Sequence, residues 1–347
     1  MFIQNEIKRY KGFNLLDLFV SESSDWFDKD RHGIVREVDF KRISEWGFNY
    51  IRVPASYRIW STAEDPYTID ESKIVLLDKM VHYAIKYNLH ININLHRIPG
   101  YCINDDEPVK EPYNLWEDEE ALKAASFQWQ SIAQRYKDIE SEYLSFNIIN
   151  EPKWDLAEWK VVKVTAALVN AIREVSPNRT IHIDGIASGS HPSISFMQRD
   201  VENCVYTCRG YMPGTLTHYK VSVTPRNTTD TPPVWPGAAQ ILEDTKIVWD
   251  RAKLDQYFDI WAALSNVYKR GVMCGEWGCY NKTPHETTLA WAEDMLASMK
   301  ERNIGFSFWC LRGTFGILNS DRSDVEYEIL ENGDKLDRKL LELLQKY

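Results

Sequence analysis

The strongest constraint in this sequence is a regular alternation of short apolar runs with amphipathic stretches along all 347 residues. This alternation is typical of β-α-β units, in which helices join neighbouring parallel strands. Eight runs are predicted to be strands, at residues 12–18, 48–53, 90–95, 143–149, 180–184, 203–209, 271–275 and 304–309.

A helix is predicted after each strand, at residues 35–46, 70–88, 117–138, 155–176, 191–199 (short), 249–270, 284–302 and 333–346. The second helix places its apolar residues on one face at helical spacing, namely Ile74, Leu77, Val81, Ala84 and Ile85. Eight strand-helix pairs without a linker predict an α/β fold, a (β/α)8 TIM barrel, as a single domain over residues 1–347. An open doubly wound sheet is the alternative, but no Gly-x-Gly-x-x-Gly follows the first strand.

The longest stretch without a predicted element covers residues 211–245 and contains five prolines. A loop of that length in a compact domain is usually functional or disordered. Because it follows the sixth strand, we expect it at the rim of the barrel, where active sites of this fold lie.

Polar residues at the carboxyl ends of the strands are the candidates for catalysis, since barrel enzymes place their active sites there. They are Arg52, His96, Asn150, Glu151, Tyr211, Glu276 and Trp309. Two carboxylates can flank a glycosidic bond, one as proton donor and the other as nucleophile. Glu151 and Glu276 are therefore the predicted catalytic pair. The positive charge of Arg52 is expected to keep one of the two carboxylates ionised.

These motifs resemble glycoside hydrolase family 5, the cellulase-type family of retaining β-glycosidases, over nearly the full length. The matching segments are Gly12-Phe13-Asn14, Arg52-Val53-Pro54, Leu95-His96, Ser145 to Pro152, Tyr206 to Pro213 and Gly275-Glu276-Trp277-Gly278. The resemblance implies that Glu151 is the acid/base and Glu276 the nucleophile. It also implies that Asn150 binds the sugar 2-hydroxyl, Arg52 and Tyr211 position Glu276, His96 contacts the sugar and Trp309 forms its stacking floor.

The sequence departs from the family at one predicted site residue. The family typically carries His-x-Tyr after the sixth strand, whereas this chain has Arg209-Gly210-Tyr211. The charge around Glu276 must therefore differ, which leaves the mechanism in place and puts the usual cellulase specificity in doubt. Arg209 is included among the expected substrate-binding residues.

Trp235, between prolines in the 211–245 loop, is a further candidate for substrate binding. Together with the turn His96–Tyr101 it predicts a restricted, pocket-like cleft that favours short chains or chain ends. The alternative is that Trp235 only anchors the loop to the barrel.

The expected activity is retaining hydrolysis of a β-linked polysaccharide or oligosaccharide, foremost a β-glucan. Alternatives on the same barrel are a β-glucosidase, a β-mannosidase or mannanase, and a furanosidase that trims side chains, because specificity lies in the rim loops. A barrel that binds carbohydrate without catalysis would lack the carboxylate pair. A metal-dependent hydrolase would need a His and Asp cluster at the strand ends, where only His96 lies.

Composition narrows the possible partners. The net charge of −10 disfavours nucleic acids and anionic membranes. The six cysteines form no metal motif, and most are expected to be buried thiols. We expect no cofactor, no metal and a monomer. The amino terminus lacks a secretory signal, which predicts a cytoplasmic protein, or a secreted one if a leader preceded it.

Overall fold

A computed structural model describes residues 8–19, 34–104, 110–199, 201–221, 231–242 and 245–347. The chain divides into two compact units, residues 14–208 and residues up to 13 together with 209–347. They are named here the Glu151 unit and the Glu276 unit, after the predicted catalytic residue that each contains. The prediction of one domain over residues 1–347 stays a prediction.

The amino-terminal strand β1 (Lys11–Asn14) is followed by the elements of the Glu151 unit. These are α1 (Glu37–Glu45), β2 (Tyr50–Ser56), α2 (Glu71–Lys86), β3 (His90–Ile98), β4 (Tyr101–Cys102), α3 (Glu119–Arg135), β5 (Leu144–Asn147), α4 (Glu158–Val175), β6 (Thr180–Asp184), α5 (Ile186–Gly189), α6 (Ile194–Met197) and β7 (Cys204–Gly210) as far as Cys208. Strands β2, β3, β5, β6 and β7 pair in that order, all parallel. The short β4 turns back antiparallel to the end of β3.

Strand β3 shows why the sequence forms buried parallel strands here. All nine of its residues are buried, including the polar side chains that alternate with Ile91, Ile93 and Leu95. The strand thus has one apolar and one polar face, and both are buried. A buried polar face requires hydrogen-bond partners, as Asn92 Nδ2 has in Ser145 Oγ at 2.8 Å.

Helix α2 shows how the helices pack. Its first turn is capped by Asp70, whose side chain accepts a hydrogen bond from the backbone N–H of Ser72. The predicted apolar face is confirmed at four of its five positions. The fifth, Ile85, is 39% exposed, and Met80 is buried on that face instead.

The Glu276 unit contains the first three residues of β1, the last two residues of β7 (Arg209 and Gly210) and the elements from α7 onward. These are α7 (Gly214–Thr217), β8 (Ala239–Leu242), β9 (Thr245–Val248), α8 (Arg251–Tyr268), β10 (Gly271–Trp277), α9 (His285–Glu301), β11 (Gly305–Phe308), β12 (Glu328–Ile329), β13 (Lys335–Leu336) and α10 (Arg338–Lys346). Strand β11 lies between β1 and β10, parallel to both.

Eight strands of the chain are parallel, and helices alternate with them along the sequence. They are β1, β2, β3, β5, β6, β7, β10 and β11. The predicted fold class, a (β/α)8 barrel, is confirmed. Among the helices within the described ranges, none is long and apolar enough to span a membrane.

The structure corrects the prediction that residues 211–245 carry no regular element. The described part contains α7 and an antiparallel hairpin of β8 and β9, whereas residues 222–230, with Pro225, and 243–244 lie outside the described residues. The two strands were not predicted because each has only four residues and because five prolines in the stretch are typical of a loop.

The last predicted helix, 333–346, begins later than expected. Gly333 adopts a positive φ of 84° in the turn between β12 and β13, and the helix starts only at Arg338. Asp337 caps it by accepting a hydrogen bond from the backbone N–H of Leu340 at 3.1 Å. The aspartate N-cap was the sequence signal for the true start.

Candidate active site

Glu151 lies four residues after the end of β5 and is held through its main chain. Its φ is +47°, a conformation that non-glycine residues rarely adopt. The backbone N–H donates to Asp184 Oδ2 at 2.9 Å, and the carbonyl oxygen accepts from the Tyr101 hydroxyl at 2.6 Å. These two contacts hold the backbone in a conformation that would otherwise be unfavourable. The side chain itself is half-buried.

Asp184, the last residue of β6, is itself held by neighbouring strands. Its Oδ1 accepts from Asn147 Nδ2 at 2.9 Å and from the hydroxyl of Thr207. The carboxylate is 4% exposed. Because both oxygens accept hydrogen bonds, Asp184 is a fixed acceptor for the Glu151 backbone.

Arg52, on β2, is buried among amide side chains of the same unit. It donates to Asn14 Oδ1 at 2.9 Å, to Asn147 Oδ1 at 2.9 and 3.0 Å, and to Asn150 Oδ1 at 2.8 Å. The bond to Asn150 fixes the orientation of its amide and directs the NH2 group away from Arg52. The predicted charge interaction of Arg52 with a catalytic carboxylate stays a prediction.

His96 lies beside Asn150, and its predicted contact with the sugar stays a prediction. Its Nε2 is 3.3 Å from Asn150 Nδ2, and its Nδ1 is 3.3 Å from Asn94 Oδ1. The ring packs on Phe19 with centroids 4.1 Å apart. The structure thus groups Arg52, His96 and Asn150 within the Glu151 unit.

Glu276, the penultimate residue of β10, is held through its side chain. The carboxylate is 3% exposed. Arg209 Nη2 lies 3.3 Å from Oε1, and the Tyr211 hydroxyl donates to Oε2 at 3.2 Å. A buried carboxylate requires a cationic or hydrogen-bonding partner, and here it has both. The departure from the family pattern therefore places an arginine directly against the predicted nucleophile.

The residues around Glu276 are fixed in turn. Arg209 is 2% exposed, and its carbonyl oxygen accepts from the Tyr257 hydroxyl at 2.8 Å. The carbonyl oxygen of Tyr211 accepts from Thr217 Oγ1 at 2.9 Å, and its ring meets His218 edge-on at 5.0 Å.

Trp309, directly after β11, is 7% exposed and joined to the strand that carries Glu276. Its backbone N–H donates to the carbonyl of Trp277 at 2.8 Å. Gly278 allows this close approach, since a Cβ there would lie 2.4 Å from the Trp309 carbonyl oxygen. Its predicted role as a stacking floor stays a prediction.

Trp235 is half-buried and forms a hydrogen bond with helix α9. Its indole N–H donates to Asp294 Oδ2, on α9, at 2.8 Å. This is the kind of contact expected if Trp235 anchors the loop. Its predicted role in substrate binding stays a prediction.

Asp184 and Tyr101, the two residues that hold the Glu151 backbone, were not predicted from the sequence. Asp184 had a usable signal, because it is an acid at the carboxyl end of the fifth predicted strand, and that strand end was not considered. Tyr101 gave no comparable signal, because its partner is a main-chain oxygen 50 positions away.

All six cysteines are buried and none is in a disulfide, which confirms the prediction that most are buried thiols. Within the described ranges, no group of three or more His, Cys, Asp or Glu side chains is arranged to hold a metal ion.

Comparison with known proteins places the chain in a family. Residues 10–314 match the family model for cellulase, glycosyl hydrolase family 5. The chain is 26% identical to Endoglucanase C of Acetivibrio thermocellus, over 85% of this chain and 90% of that protein. It is 25% identical to Cellodextrinase A of Ruminococcus flavefaciens, over 74% of this chain and 72% of that protein.

A crystal structure described as a glycoside hydrolase superposes with a TM-score of 0.86 at 32% identity, covering 98% of this chain and 99% of the other. The resemblance predicted from the sequence motifs is confirmed. The chain belongs to glycoside hydrolase family 5, the cellulase family, and is an O-glycosyl hydrolase of a retaining family.

Proposed function

We propose that the chain hydrolyses β-linked glucan chains or oligosaccharides, with Glu276 as nucleophile and Glu151 as acid/base. The observation that carries the proposal is the setting of Glu276, a buried carboxylate held by Arg209 and Tyr211 at a strand end. The names of the relatives, endoglucanase and cellodextrinase, support a β-glucan as the substrate.

The first half of the reaction forms a bond between a Glu276 oxygen and the anomeric carbon of the sugar. The bond from that carbon to the leaving oxygen breaks, and Glu151 transfers its proton to the departing oxygen. Arg209 and Tyr211 hold the two oxygens of Glu276 and so fix the direction of attack.

The second half returns the enzyme to its starting state. Glu151, now ionised, takes a proton from water, and the resulting oxygen attacks the anomeric carbon. The bond to Glu276 breaks, which restores its carboxylate. Two inversions at the same carbon give net retention.

Asn150 is the proposed contact for the 2-hydroxyl of the cleaved sugar. Its amide oxygen accepts from Arg52 at 2.8 Å, so the amide cannot rotate freely and its NH2 group remains as the donor. A hydrogen bond to the 2-hydroxyl that strengthens in the transition state accelerates glycoside cleavage.

The experiment compares Glu276→Ala and Glu151→Ala on an aryl β-cellobioside with and without azide. We expect Glu276→Ala to be inactive and azide to restore turnover with an inverted glycosyl azide as product. Glu151→Ala with azide should give the retained product. Glu286→Ala, on the exposed surface of α9, is the control and should match the unmodified enzyme. Exchanged products would reverse the two roles, and full activity of Glu276→Ala would refute the proposal.

A further inference from the structure

The segment that follows β6 in the Glu151 unit contains consecutive residues in the left-handed region. Ala187 has φ 52° and ψ 56°, and Ser188 has φ 56° and ψ 40°, so α5 is not a regular right-handed turn. Gly189, the next residue, also has a positive φ, of 73°. Glycine adopts such angles freely, whereas in other residues the Cβ lies too close to the following carbonyl oxygen. Ala187 and Ser188 are therefore strained, and contacts around them must hold them in this conformation.

The strained angles direct one peptide plane toward the chain that carries Glu151. The direction of the Ser188 N–H is set by ψ of Ala187 and φ of Ser188. With these angles the N–H donates to the carbonyl oxygen of Pro152, the residue after Glu151, at 2.7 Å. The other end of the plane, the Ala187 carbonyl, accepts from the backbone N–H of Ser190 at 3.2 Å. A right-handed Ala187 would rotate the plane and break both hydrogen bonds.

The same segment also holds Glu151 at its backbone nitrogen. Asp184, the last residue of β6, accepts from the Glu151 N–H at 2.9 Å. Four residues later Ser188 binds the residue that follows Glu151. The segment is itself tied to β7, because the Gly185 N–H donates to the Thr207 carbonyl at 3.0 Å. The main chain at Glu151 is thus held on both sides by a segment anchored to the sheet.

A third contact joins the two segments farther along the chain. Glu158, the first residue of α4, accepts from the Ser193 hydroxyl at 2.8 Å. Ser193 in turn caps α6 by accepting from the Phe196 N–H at 3.2 Å. The chain from Glu151 to Glu158 is therefore held by the segment after β6 at three places, and the strained residues supply the middle one.

Ser188 makes its contact through the backbone. Its side chain forms no hydrogen bond with any other residue that the structure describes, and it is half-buried. Substitutions at this position can therefore change the preferred φ without removing a side-chain contact.

We propose that Ala187 and Ser188 are positioning residues for the acid/base step, because their left-handed backbone holds Pro152 and, through it, the main chain of Glu151. The inference rests on the proposed function, in which Glu151 protonates the leaving oxygen. Proton transfer requires the donor within hydrogen-bonding distance of that oxygen, so a shift of the main chain slows this step.

The test changes the preferred φ at position 188. Ser188→Val and Ser188→Thr add branching at Cβ, which disfavours the left-handed region, whereas Ser188→Gly and Ser188→Asn tolerate it. The values of kcat/KM per folded enzyme are compared for cellotetraose and for 2,4-dinitrophenyl β-cellobioside, because the dinitrophenyl group departs with little need for a proton donor. We expect the ratio of the cellotetraose value to the dinitrophenyl value to fall about tenfold in Ser188→Val and Ser188→Thr, and to stay within about twofold in the other two variants.

The matched control is Ser44→Val. Ser44 is half-buried like Ser188 but lies in the right-handed helix α1, where branching at Cβ is tolerated. Its ratio should equal that of the unmodified enzyme. If Ser188→Val does not fold, Ser188→Thr provides the comparison. Because Ser188→Thr keeps a hydroxyl and Ser188→Gly lacks one, a role of the serine hydroxyl would give the opposite order of activities.

The contact itself is measured without substrate, by hydrogen exchange of the backbone amide at position 188. We expect slow exchange in the unmodified enzyme and in Ser188→Asn, and exchange about tenfold faster in Ser188→Thr.

The outcomes separate this inference from the proposed function. No hydrolysis of either substrate by the unmodified enzyme would refute the β-glucan activity, while slow exchange that Ser188→Thr accelerates would still support the contact with Pro152. Equal losses on both substrates, activities that follow the hydroxyl, or the same exchange rate in every variant would overturn the positioning role.

Discussion

The two predicted catalytic carboxylates are held in opposite ways. Glu151 is held by its backbone, which has a φ of +47° and contacts Asp184 and Tyr101. Glu276 is held by its carboxylate, which contacts Arg209 and Tyr211. An acid/base must donate and accept a proton within one cycle, and fixing its backbone keeps the group in place for both steps. A nucleophile must point one oxygen at carbon, so fixing the carboxylate itself is appropriate.

The largest effect is expected from removing the charge beside Glu276. Arg209→Met leaves a buried carboxylate without its cation, and breaking a buried pair costs about 3–5 kcal/mol. We expect a corresponding loss in the free energy of unfolding, measured by urea denaturation, and a strong fall in kcat. The matched control is Arg338→Met, which removes an exposed pair with Glu328 and should cost at most about 1 kcal/mol. Equal losses in the two variants would contradict the role given to Arg209.

The second effect tests how the Glu151 backbone is held. Asp184→Ala removes the acceptor of the Glu151 N–H and leaves buried donors unpaired, at a cost of about 1–3 kcal/mol. Since proton donation is needed most for a poor leaving group, kcat/KM should fall roughly 10- to 100-fold for cellotetraose. It should fall much less for 2,4-dinitrophenyl β-cellobioside. Equal losses on both substrates would indicate that Asp184 only stabilises the fold.

A smaller change of the same kind is expected from Tyr101→Phe. The variant keeps the ring and loses only the hydroxyl that donates to the Glu151 carbonyl. A single hydrogen bond contributes about 1 kcal/mol, so kcat/KM for cellotetraose should fall roughly fivefold. Tyr143→Phe, which also removes one tyrosine hydroxyl, is the control. A result in which Tyr101→Phe affects dinitrophenyl and sugar leaving groups alike would place Tyr101 outside the acid/base step.

The smallest effect is expected from chelation. In the proposed mechanism two carboxylates supply nucleophile, acid and base, and each is held by protein groups. Prolonged treatment with EDTA should therefore leave kcat/KM unchanged within error. Loss of activity that a divalent ion restores would show that a metal takes part in the reaction. The two carboxylates would then not be sufficient for catalysis.

The parts of this molecule that the sequence predicted well depend on local pattern. The eight parallel strands were found because each is a short apolar run, and Glu151 and Glu276 because each follows such a run in a recognisable motif. The Asp184 contact joins positions 33 residues apart, and the Tyr101 contact joins positions 50 apart. Both end on backbone atoms of Glu151, which no side-chain pattern reveals, so the arrangement that distinguishes the two carboxylates appeared only in the structure. Location and oligomeric state stay predictions.

The central claim, that Glu276 is the nucleophile, is tested most directly by trapping the covalent intermediate. The enzyme is incubated with 2,4-dinitrophenyl 2-deoxy-2-fluoro-β-cellobioside, digested, and its peptides are sequenced by mass spectrometry. We expect one added fluorocellobiosyl group per chain, attached to Glu276, and no label in Glu276→Gln. A label on Glu151, or on any other residue, would contradict it.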